Sequence, residues 1–240
     1  MVANPPYKDS LGYNFTMKNL KNALLLKQLY LMRILGYRYM DNIAISDATE
    51  HNVILPSNIE NLEKQAKKCM LCELSKTRKS VLFGTGDKKA KIMFIGDAPS
   101  SSEDNEGKFF LGRSGEMLSD MITKVLKLQT KDVYVTNLVK CKPYGGKKIS
   151  PIDIHACHPY VLKQIELIKP KIIVTLGEKA YQNLSGDDTA LEQIRGALIQ
   201  RNNYTIIPTY HPSFLLKNPS YKKDVLEDLK KIKEMLEQTL

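Results

Sequence analysis

The sequence predicts a three-layer α/β/α domain around a central four-stranded parallel sheet, with a helical extension at its N-terminus. Three observations lead there. Short apolar runs occur at 91–95, 132–136, 171–176 and 204–208, spaced about 33 to 41 residues apart. Stretches with apolar residues at helical spacing fill the intervals. Such alternation implies right-handed crossovers and a parallel sheet covered on both faces. Finally, each run empties into polar, chemically useful residues, and in sheets of this kind ligands bind beyond the carboxyl ends of the strands.

Residues 1–16 are polar and carry Pro5, Pro6 and Gly12 without periodicity. Leu24, Leu25, Leu29, Met32 and Leu35 then predict one amphipathic helix over 17–37, stopped at Gly36. Residues 40–56 read as a linker, so the extension covers 1–56 and the α/β/α domain 57–240. Ser57-Asn-Ile-Glu60 has capping-box spacing and opens a helix to about Lys68. After the first strand, Met117, Leu118, Met121, Ile122 and Val125 predict a helix over 114–128. The next helix runs over 150–168, with Ser150 as N-cap and Pro151 at its first position. A shorter helix follows Gly177. The last, over 221–238, places Leu226, Leu229, Ile232 and Leu236 on one face.

Composition narrows the function classes. A net charge of +10 favours a polyanionic partner, nucleic acid before an anionic membrane surface. No run approaches the roughly 18 apolar residues of a membrane span. The most apolar early stretch, Leu24–Leu35, is broken by Lys27 and Arg33, and no signal-peptide pattern precedes it. The expectation is a soluble intracellular monomer without membrane contact, whose four cysteines are not disulfides.

The richest stretch is Gly96–Gly115, which follows the first strand. It carries Asp97, Glu103, Asp104, Glu106, the adjacent Phe109 and Phe110, and three closely spaced glycines. Acidic groups beside aromatic rings suit a pocket that grips a flat ring and manages a proton or a cation. The other strand ends deliver Asn137, Thr175-Leu-Gly177-Glu and His211-Pro-Ser213 to the same edge. Taken singly, each of these residues has a bland reading: a turn-forming Asn, a core His, two Phe rings tucked into packing. Their convergence is the argument for a site.

The cysteines stand as Cys69-x-x-Cys72, Cys141 and Cys157, with none left over. This is a metal-binding arrangement. Zinc and an iron–sulfur cluster both accept four thiolates, and spacing does not choose between them. Four inert buried thiols are the competing account.

Gly96-Asp-Ala-Pro-Ser100, Glu103-Asp104 and Gly107-Lys-Phe-Phe-Leu-Gly112-Arg-Ser-Gly115 together resemble the first motif of the family 4 uracil-DNA glycosylases. Val135-Thr-Asn137-Leu-Val-Lys-Cys141-Lys-Pro143 is similar to the second motif, and Pro208-Thr-Tyr-His211-Pro-Ser-Phe-Leu-Leu216 to the third. The likeness spans roughly 61–235. It implies an enzyme that flips uracil out of DNA, hydrolyses its N-glycosidic bond and leaves an abasic site. It also implies a cytoplasmic location, at the nucleoid when bound to DNA.

On matching positions, the resemblance implies that Phe110 stacks on the base and Asn137 reads its polar edge. His211 would stabilise charge on the departing base, and Asp97 would position water or offset charge on the sugar. Ala98, Glu103 and Ser213 would complete the pocket. Cys69, Cys72, Cys141 and Cys157 would hold a [4Fe–4S] cluster, with zinc as the alternative. Lys76, Arg78, Lys79, Lys142, Lys147 and Lys148 are candidates for phosphate contacts.

Three positions depart from the family pattern: Asp97 where it has Glu, Ser100 where it has Gly, and Phe109 where it has Pro. The shorter carboxylate motivates a rival reading as a non-catalytic DNA-binding or damage-sensing module. A related branch that bonds covalently to DNA carries a Lys-Arg-Arg-Ile-His insertion. This chain has Gly145-Gly-Lys-Lys-Ile-Ser150 there, so covalent capture is not expected.

Overall fold

The computed structural model describes residues 55–146, 148–201 and 203–239. These fall in one compact unit, Ile54–Leu240. The helix expected over 17–37 lies outside the described residues.

Four strands form the parallel centre: β2 (Ile92–Gly96), β3 (Tyr134–Asn137), β4 (Ile172–Leu176) and β6 (Thr205–Thr209). Every residue in them is buried, as expected of strands covered on both faces. Two short antiparallel strands that the sequence did not suggest, β1 (Thr85–Gly86) and β5 (Ile199–Gln200), close the edges. The sheet is therefore six-stranded and mixed, in the order β1-β3-β2-β4-β6-β5.

Strand alternation sorts the side chains into two apolar layers. On β2, Met93 and Ile95 face α1 (Ile59–Lys67) and α4 (Pro151–Ile168), among Leu62, Val161 and Ile165. Ile92 and Phe94 face the opposite layer, formed by α3 (Gly112–Asp120), its π-helical continuation Met121–Val125, and α8 (Lys222–Thr239). The helix expected over 114–128 is thus an α-helix that widens into a π turn.

α4 begins as the sequence indicates. Ser150 and Asp153 form a reciprocal capping box, and Pro151 occupies the first turn, where its missing N–H costs nothing. At α1 the cap is displaced: Asn58, not Ser57, accepts from the Asn61 amide at 2.8 Å. The stretch after β2 is not a plain loop either. Ser100 and Glu103 form a second capping box that starts α2 (Ser101–Glu106). The remaining helices are α5 (Glu178–Ser185), α6 (Leu191–Ile194) and α7 (Pro212–Lys217). No helix among the described residues is long and apolar enough to cross a membrane.

Candidate active site

Parallel pairing brings three strand ends into register. Gly96 pairs with Asn137 across β2 and β3, and β6 delivers His211 two residues beyond Thr209. Gly96 is what lets them meet. A Cβ there would lie 2.5 Å from Asn137 Oδ1 and 3.6 Å from His211 Nε2, so Asn137 fills the space a side chain would need and His211 lies in contact range of the same point. A small cavity of about 50 Å³ opens here, lined by Ala98, Glu103, Phe109, Asn137 and His211 among others.

His211 is oriented by its own helix. It is the N-cap of α7, and its Nδ1 accepts from the Ser213 amide at 3.1 Å with Ser213 Oγ 2.7 Å away. An Nδ1 that accepts a backbone hydrogen bond carries no proton, so in the neutral ring the proton sits on Nε2, toward the cavity. Desolvation lowers the imidazole pKa to about 4, which keeps it neutral at physiological pH. Beside it, Tyr210 stacks on Phe214 with centroids 5.0 Å apart, and Tyr221 meets both edge-on.

Asp97 opens onto a wider adjoining cleft of about 510 Å³, shared with Ala98, Lys179, Tyr210, His211 and Ser213. Its Oδ1 is buried and has no hydrogen-bond partner. Desolvation raises the carboxyl pKa to about 6, against smaller opposing effects of Lys179 and the Ala180 backbone. His211 and Ala98 border both spaces, so the small cavity and the cleft are neighbours.

Glu103 spends its carboxylate on the loop. Oε2 accepts from the Ser100 amide and hydroxyl, both at 2.9 Å, and Oε1 accepts from the Phe110 amide at 3.1 Å. Asp104, 2 % exposed, likewise accepts from the amides of Lys79 and Ser80 and ties α2 to the preceding basic segment.

The two aromatics of the first motif differ in their relation to the cavity. Phe109 lines the small cavity and Phe110 is absent from its lining, while both are half-buried and pack against the apolar layer of α3 and α8. The backbone gives the reason. Phe110 adopts φ 64, and α3 passes so close that a Cβ on Gly115 would sit 2.4 Å from the Phe110 carbonyl carbon.

All four cysteines are free and line one cavity, with Ala66, Leu71, Lys140 and Tyr160 among its walls. Burial raises the thiol pKa of Cys72, of Cys141 and of Cys157, the last to about 11. Arg78 turns into this cavity, donating to Cys141 Sγ at 3.3 Å and to the Lys67 carbonyl at 3.4 Å. Half-exposed, it has two guanidinium nitrogens engaged by the protein. Lys76 is paired with Glu73 at the surface, Lys79 and Lys148 are exposed, Lys142 is half-buried, and Lys147 lies outside the described residues. Among the described residues no three His, Cys, Asp or Glu side chains close on a single-ion site.

Two buried residues had gone unremarked: Lys140, between the site and the cysteines, and Gln164, its partner on α4. Desolvation lowers the Lys140 pKa to about 7.

Residues 83–230 match the family model described as the uracil DNA glycosylase superfamily. The chain belongs to that superfamily. It is 40% identical over 187 residues to a type-4 uracil-DNA glycosylase of Saccharolobus solfataricus, covering 75% of this chain and 87% of the relative. A type-4 uracil-DNA glycosylase of Thermotoga maritima is 35% identical over 182 residues, covering 74% and 94%. A type-5 uracil-DNA glycosylase of Pyrobaculum aerophilum is more distant, at 26% over 150 residues and 55% and 66% coverage.

Proposed function

We propose that this superfamily member removes uracil from DNA by hydrolysing the bond between the base and deoxyribose, leaving an abasic site. The observation that carries the reading is the neutral imidazole of His211, whose Nε2 shares one cavity with the Asn137 carboxamide. Extrusion of a nucleotide brings its base to this edge of the sheet. The Asn137 carboxamide offers N–H to uracil O4 and its oxygen to uracil N3–H. Cytosine presents a donor and an acceptor in the opposite order, leaving both protein groups unpaired, and such a mismatch discriminates strongly. Phe109 supplies the aromatic wall.

As the C1′–N1 bond breaks, its electron pair leaves with the base and charge builds on O2, where Nε2–H of His211 donates a hydrogen bond. A preorganised neutral donor in a dry site stabilises that charge without reorganising. Positive charge is left on the sugar. Ionised Asp97, which lines the cleft, holds a water against C1′ and receives its proton as the new C–O bond forms. Exposed Lys79, Lys108 and Arg113, near the site in sequence, add to the surface charge available to phosphates.

Cys69, Cys72, Cys141 and Cys157 would hold a [4Fe–4S] cluster, a reading supported by four free thiols lining a single cavity. When bound, such a cluster supplies four strong cross-links between the chain before β1, the end of β3 and α4.

Incubating the protein with a uracil-containing oligonucleotide and then with alkali tests the activity. Strand scission at the uracil is expected. Salt-sensitive binding without scission, even at protein excess, would instead establish a non-catalytic binding module.

A further inference from the structure

Lys140 lies in the turn after β3, between Asn137 and Cys141, and is 2 % exposed. A buried ammonium is tolerable only where its protons are matched. Here its three N–H groups meet three acceptors: Thr136 Oγ1 at 2.6 Å, the Asn137 carbonyl at 2.8 Å and Gln164 Oε1 at 2.6 Å. Gln164 is held in turn, donating to the Phe83 carbonyl at 2.8 Å and the Tyr134 hydroxyl at 3.0 Å. The network thereby fastens the end of β3 to α4 and to the chain before β1.

The same residue belongs to the cysteine cavity. Its side chain forms part of the wall, and its backbone hydrogen-bonds Cys157. The Asn137 carboxamide, by contrast, has no protein hydrogen-bond partner among the described residues, so its aim is set by its own backbone. Among the described residues, the buried side chain that grips the Asn137 carbonyl is Lys140.

We propose that Lys140 is a positioning residue: it aims the Asn137 carboxamide by holding the Asn137 carbonyl, and it joins that hold to the wall of the cysteine cavity. The proposal rests on the reading of Asn137 as the group that recognises the base. It makes base discrimination sensitive to the cysteine cavity through a single side chain. Without the hold, the carboxamide drifts relative to the imidazole, and a displacement of about 1 Å costs up to about 100-fold in rate.

The test uses the full chain carrying Lys140→Met, Gln164→Leu or Gln164→Glu, well below each variant's unfolding midpoint. Affinities are compared for non-cleavable oligonucleotides carrying 2′-fluoro-2′-deoxyuridine or 2′-fluoro-2′-deoxycytidine, alongside single-turnover uracil release and binding to unmodified DNA. Lys140→Met is expected to lower the uridine-to-cytidine affinity ratio and slow release about 10–100-fold, with unmodified DNA bound as by the parent. Gln164→Leu, which deletes an acceptor, should move the same way, and Gln164→Glu, which keeps one, should retain the parent's ratio. Parent-like ratio and rate in folded Lys140→Met overturn the proposal. If Lys140→Met does not fold, equal ratios in the two Gln164 variants overturn it. A parent protein with no preference for the uridine analogue overturns the reading of Asn137 and the proposal with it, before any substitution is made.

Discussion

Replacing Asp97 by Asn should make the protein more stable and less active, with both effects following pH. Desolvation raises the carboxyl pKa from 3.8 to about 6. At about 1.4 kcal/mol for each pH unit between those values, keeping Asp97 ionised in the fold costs about 3 kcal/mol at neutral pH. The direction follows from linkage. The folded state holds this proton more tightly than the unfolded state, so stability falls as pH rises from about 4 to about 6 and the full cost applies above that window. Asn removes the charge but keeps the shape. The variant should gain roughly 3 kcal/mol at pH 7.5, or several degrees of melting temperature for a domain of this size, and nothing below pH 4.

His211 complicates the parent's own profile. Its folded pKa is lowered to about 4, so its contribution to stability is lost as pH falls from about 6.5 toward 4. That runs against the Asp97 effect across nearly the same range. The difference between variant and parent cancels the histidine and isolates the carboxylate, so urea denaturation of both proteins at pH 5 and pH 7.5 is the measurement. Kinetics supply the second half. Parent single-turnover excision should fall away below about pH 6, while Asp97→Asn should be slower and flat between pH 5 and pH 8. A variant no more stable than its parent at pH 7.5, or one that keeps the acid limb, would refute the reasoning.

Other consequences are sharper but narrower. His211→Asn should slow excision by about 10²–10³, whereas Ser213→Ala, which keeps the backbone donor to Nδ1, should cost only a few-fold; single-turnover rates separate the two. Phe109→Ala should weaken binding of the extruded base, while Phe110→Ala should act mainly on stability, by about 1–3 kcal/mol; affinity for the 2′-fluoro oligonucleotide and urea midpoints assign each. The purified protein should contain iron and acid-labile sulfide in equal amounts and no zinc, and Cys141→Ser should lower both together.

Much of this architecture could be read before any coordinates. The four central strands fall within a residue or two of the apolar runs, because a strand buried on both faces has little choice but continuous hydrophobicity. The ends were harder. Gly96 and Asn137 pair with each other in the sheet although neither is a strand former, since neighbouring strands override local preference. α2 was missed even though Ser100 and Glu103 stand at capping-box spacing. Pro99 and a run of small and acidic residues made that stretch read as loop. The backbone at Phe110 was illegible for a different reason: its positive φ depends on how closely Gly115 approaches, a contact no linear pattern reports. Gln164 did leave a trace, as a polar residue on the buried face of α4 beside Val161, Ile165 and Ile168. Lys140 left none, being one lysine in a chain rich in them.

The distribution of satisfied and unsatisfied groups separates what holds this fold from what it is for. Lys140, Gln164 and Asp104 are buried and their polar atoms are matched at ordinary hydrogen-bond distances. At the strand ends the pattern inverts: Asp97 keeps a bare oxygen, and the Asn137 carboxamide and the His211 Nε2 face a cavity. Thr175 Oγ1 and Arg195 Nε are also buried without partners, but the open groups of Asp97, Asn137 and His211 lie together at one edge, where a ligand can supply what is missing. A ligand that supplies the missing partners binds the folded state and not the unfolded one, so it must raise the melting temperature by mass action. Free uracil in millimolar excess should do so and cytosine should not, and Asn137→Asp should narrow the gap between them. Equal shifts for the two bases would mean that the carboxamide does not read the ring, however well the cavity is placed.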